Sequence, residues 1–295
     1  MDSIVNYLPK DMLTDCAQSL LGVKYTDRIW GNVCLERRDR VSDCYVQMAE
    51  VYDRLMSDVD YDLWAESILR LIKRFGHEKQ SLRVLDCACG TGALTIRLAE
   101  RGFLMTGLDC SEDMLRVAQR KSMRRGLKIP YVCMDMQNLQ MHRRMDAITC
   151  CCDGVNYLTD PAEVMRFFRS AHAALKPDGI FLFDVSSAYK LEHVLGCSVM
   201  GEDRPDCTYL WENMFDPETR LLEMRLHFFV PNQSNKALWH RFDETHVQRA
   251  YTQQELCDLL IACGFEPIGI YGAFTEEQPA ADAERIQFAA RRKEQ

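Results

Sequence analysis

The run Val84-Leu85-Asp86 leads into Cys87-Ala88-Cys89-Gly90-Thr91-Gly92, and Asp109 closes a second apolar run, Met105 to Leu108, nineteen positions after Gly90. Apolar residues, an acid, a glycine turn and a helix-like stretch describe a strand, a tight loop and a helix N-terminus. Glycine lets the backbone take left-handed conformations and lets a ligand approach the main chain closely. An acid at the end of the following strand can accept hydrogen bonds from both hydroxyls of a ribose. These residues are suited to holding a nucleoside-bearing cofactor.

Two such cofactors compete. A dinucleotide loop has the pattern G-x-G-x-x-G, whose third small residue allows close helix–strand packing and whose helix end faces a pyrophosphate. Here Thr95 stands at that third position, and Asp86 precedes the first glycine by four residues. A carboxylate there suits a cationic group, an ammonium or a sulfonium, and not a pyrophosphate. The pattern therefore favours S-adenosylmethionine (SAM). Further along, Ser111 is a candidate N-cap with Glu112 and Asp113 in the first turn behind it. Tyr131 to Met136 is expected to be a strand ending in Asp135, placed to accept from an adenine amino group. Asp146 to Asp153 and Ile180 to Val185 supply two more apolar runs, the second preceded by the turn Lys176-Pro177-Asp178-Gly179.

With these motifs in order, the chain resembles the class I SAM-dependent methyltransferases over about Tyr45 to Arg292. Met48 to Met56, Asp58 to Trp64 and Glu244 to Thr252 are similar to the flanks of a small bacterial subgroup, the YqeM-type enzymes, and more distantly to sugar and glycine N-methyltransferases. The resemblance implies that Gly90 and Gly92 meet the cofactor through the main chain and that Asp109 takes the ribose. It further implies that Met114 packs on adenine, Asp135 and Met136 read its polar edge, and Asp86 lies near the methionine end. Tyr52 and Trp64 would belong to an aromatic cap over the cofactor. Each has a structural alternative: Asp109 as a helix cap, Met114 as core, Asp135 as a turn acid, the aromatics as a packing seam. On the substrate side, Asp153, Asn156 and Tyr157 follow the fourth strand and are expected to face the transferred methyl. From the lid, Arg241 and Arg249 are candidate substrate contacts and His246 a candidate general base. No Asn-Pro-Pro-Tyr-type motif follows the fourth strand, so the sequence there fits small-molecule enzymes better.

The elements that must position these residues are legible coarsely. Residues 45–56 and 60–75 carry helical spacing, and strand-like and helix-like stretches then alternate from Leu82 to Val185. Such alternation implies an α/β fold, a mostly parallel seven-stranded Rossmann-like sheet with helices on both faces. After Val185 the pattern changes. Three strands are expected over 207–215, 220–230 and 237–250, forming an inserted antiparallel β lid at about 200–250. Thr252 and Glu255 form a capping box before a helix to Cys263, and two last strands return as an antiparallel hairpin. Residues 1–44 would be an amino-terminal extension, with an amphipathic helix over 9–22, and 45–295 the catalytic domain.

The 295 residues, 47% of them hydrophobic, suffice for a full core. A net charge of −8 argues against a broadly basic nucleic-acid surface, although short basic clusters such as Arg124-Arg125 keep an RNA substrate as the second reading. A non-catalytic SAM-binding module is the third. No run approaches a membrane span, and the first residues do not resemble a signal peptide, so a cytoplasmic protein is expected. The 14 cysteines are then reduced thiols, and none of their spacings makes a metal site. The expected partner is a small-molecule substrate.

Overall fold

The strands alternate in what each side of the sheet receives, and that alternation determines the layering. The computed structural model of the chain describes residues 48–75, 81–232, 234–235 and 237–293; the extension 1–44 lies outside them. Helices α1 (Ala49–Leu55) and α2 (Tyr61–Arg74) precede β1 (Arg83–Cys87), α3 (Ala93–Glu100), β2 (Leu104–Asp109), α4 (Glu112–Arg124) and β3 (Tyr131–Cys133). Then follow β4 (Met145–Cys150), α5 (Pro161–Ala174) and β5 (Leu175–Ser186). After four lid strands come α6 (Gln253–Ala262), β10 (Phe265–Gly272) and β11 (Arg285–Arg292).

The main sheet has the order β3-β2-β1-β4-β5-β11-β10. Its first five strands are parallel, and β11 runs antiparallel to both β5 and β10. Successive side chains point to opposite faces, so Leu85, Ile148, Phe181 and Phe183 pack with α5 and α6, while Val84, Ala147, Ile180 and Leu182 pack with α2 and α3. Phe183 stacks on Phe288 with ring centroids 4.8 Å apart. Burying each such ring contributes about 1.5–3 kcal/mol. Strand order reverses between β1 and β4, and the carboxyl ends there form the crevice where sheets of this kind bind ligands.

The lid is a second sheet of four antiparallel strands, β6 (Ser198–Arg204), β7 (Cys207–Asp216), β8 (Leu221–Pro231) and β9 (Trp239–Arg249). The sequence predicts three of them. β6 lacks a regular apolar alternation and ends in Glu202-Asp203-Arg204, so only its pairing with β7 makes it a strand. The lid's inner residues, Met224, Leu226 and Phe228 among them, share a cluster with Met48 and Val51. Ala49 on the same short helix α1 packs on Met114 and Val117 of α4. Thus α1 joins lid and main sheet. Among the described residues no helix is long and apolar enough to cross a membrane.

Candidate active site

The glycine loop is held from beneath by acids. Asp109, at the end of β2, accepts the Gly90 N–H at 2.8 Å and the Ser111 N–H at 2.9 Å, one on each carboxylate oxygen. An ionised carboxylate offers about four acceptor sites, so capacity remains for ribose hydroxyls. Burial raises the Asp109 pKa, and the backbone N–H groups offset part of the rise. Asp86 is buried, its oxygens accepting from Thr95 Oγ1 at 2.5 Å and Thr149 Oγ1 at 2.8 Å. Burial outweighs these hydroxyls and pushes its pKa up to about 6.

The two glycines of the loop have different causes. Gly90 lies at φ +53°, and a Cβ built on it meets nothing within 4 Å. Its open front is a cradle that a ligand can enter. Gly92, at φ +72°, would place a Cβ 2.8 Å from the Tyr131 hydroxyl and 3.0 Å from Ala118 Cβ. Packing inside the protein therefore already demands glycine at 92. Tyr131 also lies over Gly107, and its hydroxyl is 2.7 Å from Ser122 Oγ. This open front, the spare acceptor capacity of Asp109 and the buried Asp86 carboxylate fit SAM.

Above the loop, Asp53 of α1 accepts from Thr91 Oγ1 at 2.6 Å and pairs with Lys121 Nζ at 2.5 Å. These contacts fasten the cap to the loop and to α4. Met114 is buried beneath α1 against Ala49 and Val117. Asp135 caps a short turn, taking the backbone N–H of Gln137 at 2.8 Å and its side-chain amide at 3.2 Å. Met136 packs on the α5 side of the core.

A chamber of about 690 Å³ opens between α1, α2, the end of β4 and the inner face of the lid. Tyr52, Trp64, Asp153, Tyr157 and His246 all line it, as do Gln248, Lys190 and Arg285, which the sequence reading does not single out. Arg285 binds Asp153 at 2.8 Å and Asp184 through its other terminal nitrogen, with its guanidinium 5.3 Å from the Trp64 ring centroid. Gln248 Nε2 donates to Asp153 at 2.7 Å. Burial would raise the Asp153 pKa, yet Arg285 and Gln248 overcome it and hold the carboxyl below its usual range. Asp184, buried and bonded also to the N–H groups of Cys152 and Asp153, is pushed up to about 6 by burial, against the pull of Arg285. Cys152 and Asp153 have φ of 59° and 56°, a left-handed pair that L side chains seldom adopt and that clusters at functional sites.

On the opposite wall, Tyr157 Oη lies 3.4 Å from His246 Nδ1, and His246 Nε2 lies 3.0 Å from Glu244 Oε2. The Met48 N–H donates to the other Glu244 oxygen at 3.2 Å. His246 is 3% exposed.

Three expected substrate contacts are corrected by this geometry. Strand parity decides two of them. Inward positions on β9 are Glu244, His246 and Gln248, facing the lid's inner residues of β8, so Arg241 and Arg249 point to the other side. Arg241 pairs with Asp243 at 3.0 Å on the exposed face. Arg249 donates to the Thr219 carbonyl at 3.3 Å and lies over the Tyr251 ring. The third is Asn156, which is fully buried. Its Nδ2 donates to the carbonyls of Ser186 and Arg249, and its Oδ1 accepts from the Ser186 N–H, each at 3.0 Å. Its amide fastens β5 to the lid's exit and has none of its groups facing the chamber. Parity would also have found Gln248, two residues from His246. Arg285 carries no local motif, and only the pairing of β11 with β5 brings it to Asp184 and Asp153.

A reversed parallel sheet, an acid-held glycine loop and a chamber under a lid are the architecture of a protein that binds a nucleoside-bearing cofactor beside a second ligand. Residues 84–179 match the family model described as methyltransferase domain. The chain is 37% identical over 249 residues, 84% of it and 97% of the relative, to the Bacillus subtilis protein YqeM, a methyltransferase by inference. A crystal structure of an S-adenosylmethionine-dependent methyltransferase from Clostridium acetobutylicum superposes with TM-score 0.76 at 33% identity, covering 85% of this chain and 100% of that one. A partial match, 30% identical over 140 residues (47% of this chain and 52% of the relative), is the dTDP-3-amino-3,6-dideoxy-alpha-D-glucopyranose N,N-dimethyltransferase of Streptomyces fradiae. The chain belongs to the SAM-dependent methyltransferases.

Proposed function

We propose that the methyl acceptor is a small molecule seated in the chamber and methylated on nitrogen or oxygen, with its proton leaving through Tyr157 and His246. The observation that carries this reading is the hydrogen-bonded series Tyr157–His246–Glu244 opening on a chamber that also presents Met48, Met224, Leu226 and Phe228. A volume of about 690 Å³ suits a metabolite, and the partly matching Streptomyces fradiae relative is named for methylating an amino sugar.

SAM, when bound, supplies the methyl group: the acceptor's lone pair bonds to its carbon as the S–CH3 electron pair passes to sulfur, giving neutral S-adenosylhomocysteine. The space at Gly90, the Asp109 carboxylate and the buried Asp86 would hold it, while Tyr52 and Trp64 would wall the junction with the chamber. Positioning and exclusion of water account for much of the acceleration in such an in-line displacement. His246 donates its Nε2–H to Glu244, which leaves Nδ1 to accept from the Tyr157 hydroxyl. Tyr157 can then hand its proton to His246 while taking one from the acceptor. Asp153 acts as a positioning residue that fixes Arg285 and Gln248 in the wall.

Conversion of SAM to S-adenosylhomocysteine with a low-mass filtrate of a cell extract tests the acceptor class. Turnover is expected with the filtrate and is to persist after nuclease treatment. Turnover only with the RNA fraction would transfer the function to the second reading. His246→Ala is expected to lower kcat by about 10²-fold with the KM for SAM unchanged.

A further inference from the structure

The charged groups of the chamber wall answer one another. Arg285 holds Asp153 and Asp184 and lies over the Trp64 ring, and Gln248 donates to Asp153 as well. Lys190 is faced by Asp153, Asp184 and Glu284. At the rim, Asp58 pairs with Arg204, and Asp60 accepts the Leu63 N–H. An ammonium entering here would meet Arg285 and Lys190, and would find a guanidinium already on the Trp64 ring. Between these groups, Met48, Met56, Met224, Leu226 and Phe228 line the chamber, and methionine sulfur packs favourably on aromatic rings.

One polar device in this wall is suited to moving a proton. Tyr157 Oη lies 3.4 Å from His246 Nδ1, and His246 Nε2 lies 3.0 Å from Glu244. The side chains of His246 and Glu244 are 3% and 6% exposed, and the Met48 N–H holds the carboxylate from behind. A carboxylate beside a buried imidazole favours the charged ring that forms on taking a proton. A hydroxyl that donates to Nδ1 keeps lone pairs with which to accept a second O–H. Tyr52, the neighbouring phenol of the wall, is no substitute as a base. Burial, with Tyr61 and Tyr157 close by, raises its pKa and keeps it protonated.

Acceptors differ in their need for such a relay. A neutral amine attacks with its lone pair and sheds a proton to water afterwards, so the relay would stand idle. A hydroxyl must give up its proton as its oxygen is methylated. An alkyl alcohol ionises about as reluctantly as water, whereas a phenol ionises near pH ~10, as tyrosine does. Transfer from a phenol to the Tyr157 oxygen is therefore nearly balanced, and His246 draws the proton onward.

We infer that the acceptor is a phenol on an apolar body, seated with its O–H directed at Tyr157 Oη. The inference rests on the small-molecule methyl transfer proposed for the same chamber. The phenol oxygen bonds to the methyl carbon as the S–CH3 electron pair passes to sulfur. Its proton goes to Tyr157 Oη, and the Tyr157 proton goes to His246 Nδ1. The products are an aryl methyl ether, S-adenosylhomocysteine and an imidazolium facing Glu244, and the imidazolium then loses its proton to solvent.

The test uses the full chain with SAM and acceptors that share one body: 4-phenylphenol, 2-nitro-4-phenylphenol, 4-phenylbenzylamine and 4-phenylbenzyl alcohol. Release of S-adenosylhomocysteine is expected with both phenols, and at least about tenfold slower with the amine and the alcohol. His246→Gln is expected to lower kcat for 4-phenylphenol by about 10²-fold. The nitrophenol is already ionised in mildly alkaline buffer and has no proton to move, so its loss is expected to stay below about fivefold. Tyr157→Phe is expected to show the same split, whereas a purely structural role would slow both phenols alike. Unchanged calorimetric binding of S-adenosylhomocysteine reports that each variant is folded. The inference is overturned by no turnover of either phenol, by an amine or alcohol turned over as fast as 4-phenylphenol, or by equal losses with the two phenols in the variants. Turnover of the low-mass filtrate without turnover of the phenols would fail the phenol alone. Turnover only with RNA would fail the small-molecule reading beneath it.

Discussion

Asp109 orders the glycine loop with a carboxylate that keeps lone pairs to spare, and that sets what its loss should do. It orders the loop by accepting the Gly90 and Ser111 N–H groups, and its remaining lone pairs would meet the ribose. Hydrogen bonds to a charged group contribute about 1.5–3 kcal/mol each, so Asp109→Ala is expected to weaken SAM binding by about 10²-fold or more, read by calorimetry. Asp135→Ala is expected to do far less, because both Asp135 oxygens already serve Gln137. Equal losses in the two variants would place the cofactor further toward β3 than the loop geometry suggests. The acids at strand ends were legible from sequence because an apolar run followed by a carboxylate is a local pattern. The lid residues were not. His246, Arg241 and Arg249 are equally polar in the sequence, and only the register of β9 against β8 separates the one that faces the chamber from the two that face away.

Among the elements, α1 is the one whose stability is borrowed. Seven residues are too few to hold a helix in water, and α1 persists through its contacts: the lid cluster on one side, α4 on the other, and Asp53 clamped to Thr91 and Lys121. Its N-cap residue, Met48, also supplies the N–H that orients Glu244 behind His246. Asp53→Ala is therefore expected to raise amide exchange across residues 48–56 and to weaken SAM binding several-fold, while the exchange of β1, β4 and β5 stays as in the wild type. Unchanged exchange in α1 would mean that lid packing alone holds it. At α6, by contrast, the sequence pattern was sufficient. Thr252 and Glu255 form the expected capping box, with the Glu255 N–H at 3.2 Å and the Thr252 N–H at 2.8 Å from the reciprocal side chains. Thr252→Ala is expected to cost about 1 kcal/mol, measured as a lower urea midpoint at unchanged slope. Caps are readable because they are closed within four residues. Strand β6 is not, since its definition lies entirely in a partner further along the chain.

At the scale of the molecule, the buried acids beneath the sheet's carboxyl edge couple folding and cofactor binding to pH. Asp86 and Asp184 are both pushed up to about 6 by burial, against about 3.9 in an unfolded chain. Between those two values the folded protein holds more protons than the unfolded one, so each acid's contribution to stability is fully present below about pH 4. It is lost as pH rises toward 6, by about 1.4 kcal/mol per pH unit at most. Replacing Asp86 by Asn removes one of these titrations. The wild type is thus expected to lose stability relative to Asp86→Asn between pH 4 and 6, and to run parallel to it above pH 7, in urea unfolding followed at each pH. With its methionine end over Asp86, SAM would bring a sulfonium and an ammonium to the loop above that acid, and positive charge nearby favours the ionised carboxylate. Binding near pH 6 should then release a fraction of a proton, seen as a calorimetric enthalpy that changes with the ionisation enthalpy of the buffer. In Asp86→Asn that buffer dependence should shrink. A dependence of the opposite sign, or one untouched by the substitution, would show that the methionine end of the cofactor lies away from Asp86, and with it that the acid four residues before Gly90 serves the threonines of the core and not the ligand.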